Sequence, residues 1–179
     1  MIKIFDNFFP DDLCKEMYRY MIELNSYHEN YADYSAVNFF ERLPAVDVIE
    51  KNVNELNDLK YERAWSFIYR NHARGVMPHA DPSTLTFTVW ITPDESILNH
   101  RENGLNIWTV DTPKEIPHQD NGTMQERIFD LIKDREPVKI PYKYNRAILF
   151  ESKYLHATDC VSMKHGIENQ RVNYTFLFS

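Results

Sequence analysis

The chain has 179 residues and a formal net charge of -7. That length suits a single domain, residues 1–179, with room for a sizeable core. The acidic balance and the lack of any dense Lys/Arg run weigh against a duplex nucleic-acid binder, and no apolar run reaches the roughly 20 residues of a membrane span.

The first residues, Met1 to Asp6, contain too short an apolar run for a signal peptide. The two cysteines, Cys14 and Cys160, read as free thiols of a reducing compartment, so a cytoplasmic location is expected. A short strand is predicted over residues 2 to 5. It leads into a helix that Pro10 opens and Asp11, Asp12 and Glu16 favour. In this helix Leu13, Met17, Tyr20, Met21 and Leu24 form one apolar stripe. Residues 25 to 43 are polar and aromatic without clear period, which predicts a long loop that is either a lid over a site or simple surface packing. Pro44 opens a second helix, with Val46, Ile49, Val53 and Leu56 on one face and an end near Asn57.

From Tyr61 onward the period changes to two, with Trp65, Phe67 and Tyr69 on one face of a strand. Residues 71 to 78 read as a polar turn. The next strand places Leu85, Phe87, Val89 and Ile91 on one side and mostly threonines on the other. Loops are expected at 93–103 and 111–122, with a strand from 104 to 110 between them, and a brief helix over 123–134. Val138 to Tyr144 is a strand that Pro141 interrupts. Residues 147–150 and 156–161 are extended, 164–170 form a polar loop, and 171–178 close the chain as an alternating strand. Two helices followed by many short strands argue for α+β architecture, with helices covering a β-sandwich or small barrel that binds ligands in its mouth.

Chemistry concentrates at His79-Ala80-Asp81. In an extended chain residues i and i+2 share a face, so this imidazole and carboxylate can grip one ion. His156, which follows an apolar strand, and His165, in the polar loop, are the candidates for a third ligand; the strand context favours His156. Two histidines and a carboxylate are the set that binds Fe(II) while leaving coordination positions open. On the last strand, Arg171, Asn173 and Thr175 share the polar face opposite Val172, Tyr174, Phe176 and Phe178. An arginine heading that face needs an anionic partner, because a buried unpaired charge is costly.

The run from Tyr69 through His79-Ala80-Asp81, then Asn145-Arg146-Ala147-Ile148-Leu149-Phe150, His156 and Arg171-Val172-Asn173-Tyr174-Thr175, resembles the Fe(II)/2-oxoglutarate-dependent dioxygenases. The likeness is to their prolyl-4-hydroxylase-like branch, which the opening Ile4-Phe5-Asp6-Asn7-Phe8-Phe9-Pro10-Asp11-Asp12-Leu13-Cys14 also resembles, although Arg171 stands where that branch commonly has a lysine. The resemblance implies a double-stranded β-helix (jelly-roll) core with the N-terminal helices packed on one side. It implies iron held by His79, Asp81 and His156, and 2-oxoglutarate held by Arg171 with Thr175, Asn173 and Tyr69. Asn106 and Trp108 are placed near the same mouth, with core packing the stronger reading for Trp108.

The implied activity uses O2 and 2-oxoglutarate to hydroxylate a C–H bond, releasing succinate and CO2. The substrate, whether a peptide or protein side chain, an amino acid or a small metabolite, is left open, as is the oligomeric state. The alternative is a jelly-roll binding or sensing module that retains the metal site without catalysis. Loss of a ligand or of the anchoring arginine would mark such a module, and this chain has all four residues.

Overall fold

A computed structural model describes residues 1–99, 101–111 and 125–179, the side chain of Asp111 apart. The elements in order are β1 (Ile2–Phe5), α1 (Asp11–Glu23), β2 (Glu29–Asn30), β3 (Tyr34–Phe39), α2 (Pro44–Asn52), β4 (Tyr61–Tyr69), β5 (His72–Ala73), β6 (Leu85–Trp90), β7 (Leu105–Asp111), α3 (Gln125–Ile132), β8 (Val138–Ile140), β9 (Arg146–Glu151), β10 (Tyr154–Thr158), β11 (Val161–Ser162) and β12 (Val172–Phe178). Short 3₁₀ turns at Asn54–Leu56, Asp94–Ser96 and Ile167–Asn169 join them. Residues 112 to 122 of the loop predicted at 111–122 lie outside the described residues.

Seven strands form a major sheet in the order β1-β9-β6-β12-β4-β3-β2, while β10-β7-β8 and β11-β5 form two smaller sheets. Side-chain alternation gives the major sheet two different faces. Leu85, Phe87 and Val89 of β6, Ala147 and Leu149 of β9, and Val172, Tyr174, Phe176 and Phe178 of β12 pack with Met17 and Met21 of α1 and with Val46 and Ile49 of α2. On the other face Tyr69, Trp90, Ile148 and Phe150 meet Leu105, Ile107 and Ile140 of the small sheets. Each fully buried large apolar side chain contributes about 1.5–3 kcal/mol relative to exposure. The helices therefore seal one face of the major sheet, and its other face looks into the space between the sheets. This is the α+β arrangement that the sequence implied.

Two local features hold the entrance to α1. Asn145 turns the chain at φ 54°. Its side chain accepts from the Phe9 N–H at 2.9 Å and donates to the Phe9 carbonyl at 2.8 Å. Pro10 then supplies the pre-set φ that precedes the first helical turn.

The sequence expectations need three corrections. Residues 25 to 43 are not simply a loop: β2 and β3 form a hairpin that extends the major sheet beyond β4. Tyr34-Ser35-Ala36-Val37-Asn38-Phe39 lacks apolar alternation because Ser35, Ala36 and Val37 are all buried, so neither face reads as polar. The polar turn at 71–78 contains β5, which pairs with β11. The second helix ends at Asn52, where Val53 turns extended, so its apolar pattern continues through a 3₁₀ turn. No helix among the described residues is long and apolar enough to cross a membrane.

Candidate metal and cosubstrate site

His79 and Asp81 lie just before β6, and His156 lies in β10 of the facing sheet. A backbone bridge draws the two together: the His79 N–H donates to the His156 carbonyl at 3.0 Å and the His156 N–H returns to the His79 carbonyl at 2.8 Å. The imidazole rings stand 4.3 Å apart. Asp81 is held by its N–H, which donates to the Ser152 carbonyl at 2.9 Å. One ligand-type atom from each of His79, Asp81 and His156 lies within 4.8 Å of the others.

The ring orientations are fixed from behind. Nδ1 of His79 lies 2.8 Å from the Met77 carbonyl, and Nδ1 of His156 lies 3.0 Å from the Tyr154 carbonyl. A carbonyl only accepts, so each Nδ1 carries the proton and each Nε2 presents a lone pair. Those Nε2 atoms sit 3.8 Å and 3.5 Å from the Asp81 carboxylate oxygens. Burial, with the neighbouring His156 second, pushes the His79 imidazole down to about 4, so at neutral pH it is an uncharged donor. Four residues before His79 the chain packs closely on β10 at Gly75, at φ 81°, where an added Cβ would lie 2.4 Å from the Thr158 carbonyl oxygen.

Asp81 carries the test of whether a metal ion fits. Its carboxylate is completely buried. Oδ2 accepts a 2.7 Å bond from the Thr86 hydroxyl, whereas Oδ1 has no hydrogen-bond partner among the described residues. A buried carboxylate oxygen left without a donor is strongly unfavourable. Two lone-pair nitrogens facing it complete a two-histidine, one-carboxylate donor set, which suits a divalent ion such as Fe(II). Thr86 was not singled out from the sequence. Its signal was the period-two alternation that places Thr86 and Thr88 on the face opposite Leu85 and Phe87. The Thr86→Val substitution removes the only described donor to Oδ2, and such outer partners of metal ligands carry roughly a 10–100-fold effect on affinity. A drop of that size, measured by competition with a coloured chelator, is the expected result.

Arg171 occupies the same pocket. It is 1% exposed and its guanidinium stacks within 4.7 Å of the Tyr69 ring and 5.7 Å of the Trp90 and Tyr142 rings. Nε donates to the Asn103 carbonyl at 2.9 Å and Nη1 to the Asn173 side-chain oxygen at 3.2 Å. Among the described residues no carboxylate pairs with it. From Asn173 a polar track continues through Nδ2 to the Thr175 hydroxyl at 3.3 Å, and Thr175 lies 3.1 Å from the Thr88 hydroxyl. Tyr69 is buried, its phenol raised mainly by desolvation, and its hydroxyl shares a 3.1 Å hydrogen bond with Thr158. His79, Asp81, His156, Arg171, Asn173, Thr175 and Tyr69 thus line one narrow pocket between the sheets.

The rival ligand and the two further mouth candidates lie outside this pocket, Trp108 in the packed setting that was its stronger reading. His165 stands apart from the cluster with its ring 5.4 Å from that of His72. Trp108 packs in a satellite cluster with Ala80 and Leu131 and donates to the Arg135 carbonyl at 3.0 Å. Asn106 pairs with Ala157 and Lys139 in the small sheet and does not line the pocket. Residues missed in the sequence, Trp65, Phe67 and Thr86, supply much of the wall.

No protein-family model matches the chain, and no curated protein matches it significantly. Solved structures do. The carbocyclase SnoK from nogalamycin biosynthesis, described as non-heme and alpha-ketoglutarate dependent, superposes with a TM-score of 0.69 at 10% identity, over 99% of this chain and 78% of its own. HygX from Streptomyces hygroscopicus, solved with nickel and 2-oxoglutarate bound, gives 0.62 at 10% identity, over 99% and 82%. The viral collagen prolyl hydroxylase vCPH of Paramecium Bursaria Chlorella virus-1, solved as a 2-oxoglutarate complex, gives 0.60 at 14% identity, over 99% and 94%. The fold is that of the iron- and 2-oxoglutarate-dependent oxygenases. With it comes the jelly-roll core: the major sheet and the small sheets are its two halves, and the pocket lies between them.

Proposed function

We propose that this chain is an Fe(II)- and 2-oxoglutarate-dependent dioxygenase that hydroxylates a C–H bond of a small-molecule or peptide substrate, with succinate and CO2 as coproducts. The observation that carries the reading is the sharing of one pocket by two buried charged groups that their described neighbours satisfy only in part. Among the described residues, one is the buried Asp81 oxygen without a donor, beside two imidazole lone pairs, and the other is the buried Arg171 guanidinium without a carboxylate. A divalent cation answers the first and a dicarboxylate the second.

His79, Asp81 and His156 would hold the iron, which, when bound, supplies the oxygen chemistry that couples keto-acid decarboxylation to C–H hydroxylation. Arg171 would receive the distal carboxylate of 2-oxoglutarate, a task suited to its planar, always-charged fork. Asn173 fixes the Arg171 fork by accepting from Nη1, and Tyr69 holds it from one side as a stacked ring. Thr175, next on the same face, offers the cosubstrate a hydroxyl. Asp81 and Arg171 bring opposite charges, and the incoming cation and dicarboxylate cancel one another. The loaded pocket is therefore near neutral, and its burial is tolerable. Trp65, Phe67, Leu105 and Phe150 supply apolar walls that keep water from the reacting centre.

The bound nickel and 2-oxoglutarate in HygX, the bound hygromycin B in another of its structures, and the 2-oxoglutarate complex of vCPH support the same use of this pocket. The test is succinate formation from 2-oxoglutarate across a panel of candidate peptides, amino acids and small metabolites. Succinate should appear only with added Fe(II) and stop on chelation. Keto-acid turnover that ignores iron would overturn the proposal.

A further inference from the structure

A wider hollow of about 850 Å³ adjoins the pocket and shares Trp65, Phe67, Val76 and His79 with it. On the reading above, this is where the substrate lies. The hollow is near the upper end of the ~300–1,000 Å³ typical of small-molecule sites, larger than a free amino acid needs. Its rim carries exposed Phe40, Tyr31 and Met77, and apolar side chains left bare around a concavity mark a binding surface.

Strand register relates the hollow to the narrow pocket. Thr88, Thr175, Trp65 and Asn38 stand in one row across four strands. In the next row on the same face, Thr86 pairs with Leu177 and Leu177 with Arg63. Arg63 is thus two strands from the threonine that holds Asp81, ~10 Å between backbones at ~4.8 Å per strand. Its guanidinium lies over the Trp65 ring at 5.7 Å and faces the hollow. Among the described residues no carboxylate pairs with it. Of the described residues lining the hollow, Glu29 and Asp33 carry carboxylates, and neither pairs with Arg63. Glu29 is engaged by the Tyr31 hydroxyl and the Asn38 amide, which hold its carboxyl below the usual range. Asp33 adjoins Tyr34, whose partner Tyr69 is six residues (69 − 63) along β4 from Arg63. That is ~20 Å of strand, well beyond a screening length of ~8 Å. The hollow also contains the Gln125 side-chain oxygen, buried without a hydrogen-bond partner among the described residues.

We propose that Arg63, pre-oriented on Trp65, receives an anionic group of the substrate, a carboxylate or a phosphate, and thereby selects which molecules are presented to the metal site. A stacked guanidinium is a planar fork that binds such groups in bidentate fashion, with less ordering cost than a free side chain. Gln125 takes a hydrogen-bond donor of the same molecule. The substrate is an anionic compound with an apolar or aromatic body, its anionic group at the Arg63 end and its reacting carbon at the His79 end.

The test compares matched probes: 4-phenylbutyrate against 4-phenylbutyramide, and phenyl phosphate against phenol, by calorimetry. One arm uses protein with saturating Ni(II) and 2-oxoglutarate, so that Arg171 is already occupied. The other uses metal-free Arg171→Leu protein, which reports on Arg63 even if the iron assignment fails. In both arms the anionic probe should bind roughly tenfold or more tightly than its neutral partner, the range of a charged hydrogen-bonded contact. Arg63→Ala should erase that preference, Arg63→Glu invert it and Arg63→Lys keep part of it, with melting curves showing that each variant is folded. Whichever anion gains more names the group. Equal binding of charged and neutral probes by the parent protein, or a preference that survives Arg63→Ala, overturns the assignment.

Discussion

Replacing Asp81 by alanine abolishes metal binding while leaving the metal-free protein as stable as before, or more so. The two effects have opposite causes. Among the described residues the buried carboxylate has one side-chain hydrogen bond, from Thr86, and an oxygen without a donor. Deleting such a group removes a desolvated charge rather than a stabilising contact. The Thr86 hydroxyl keeps a partner in Ser152 at 2.8 Å. With metal present the sign reverses, because an ion held at a thousand times its dissociation constant adds about 4 kcal/mol to the native state. Thermal melting with and without Ni(II) should therefore show a large shift in the parent protein and none in Asp81→Ala. His156→Ala should behave alike. His165→Ala should retain the full shift, since that ring packs near His72 and outside the cluster. A metal shift preserved in Asp81→Ala, or lost in His165→Ala, contradicts the ligand set.

Arg171→Leu is expected to keep the metal and lose the keto acid. The guanidinium is almost fully enclosed, with three aromatic rings around it. Truncating one partner of a buried charged pair costs about 2–5 kcal/mol, or roughly 30-fold or more in affinity. Cation–π contacts with Tyr69, Trp90 and Tyr142 compensate the buried charge in part, but they do not satisfy its remaining N–H donors. Arg171→Lys keeps the charge without the fork and should fall between. Calorimetry of 2-oxoglutarate against Ni(II)-loaded protein measures both. Unchanged affinity in Arg171→Leu contradicts the cosubstrate assignment.

The sequence carried the site further than the surface around it. His79 and Asp81 could be paired because an extended chain repeats every two residues, and the closing strand showed Arg171, Asn173 and Thr175 on one face for the same reason. Both inferences are local. The apolar strand before His156 already favoured it over His165; its meeting with His79 depends on the topology, in which β10 belongs to the sheet facing β6 and bonds back to His79. The β2–β3 hairpin was invisible because its buried positions include Ser35 and Ala36, which do not mark a core face. Its burial comes from pairing with β4, not from its own pattern. Arg63 went unremarked beside Trp65, because which neighbours share their strand face is a matter of register across β12 and β6. For the same reason Thr86 read only as the polar side of a strand until Asp81 was found against it.

The most direct test of the iron and keto-acid site is an anaerobic titration followed by visible absorbance. Fe(II) and then 2-oxoglutarate should produce a weak charge-transfer band that saturates at one iron and one keto acid per chain. The band should be absent in Asp81→Ala and shifted to higher keto-acid concentration in Arg171→Leu. A protein that stays colourless at saturating iron and 2-oxoglutarate contradicts the assignment of this pocket.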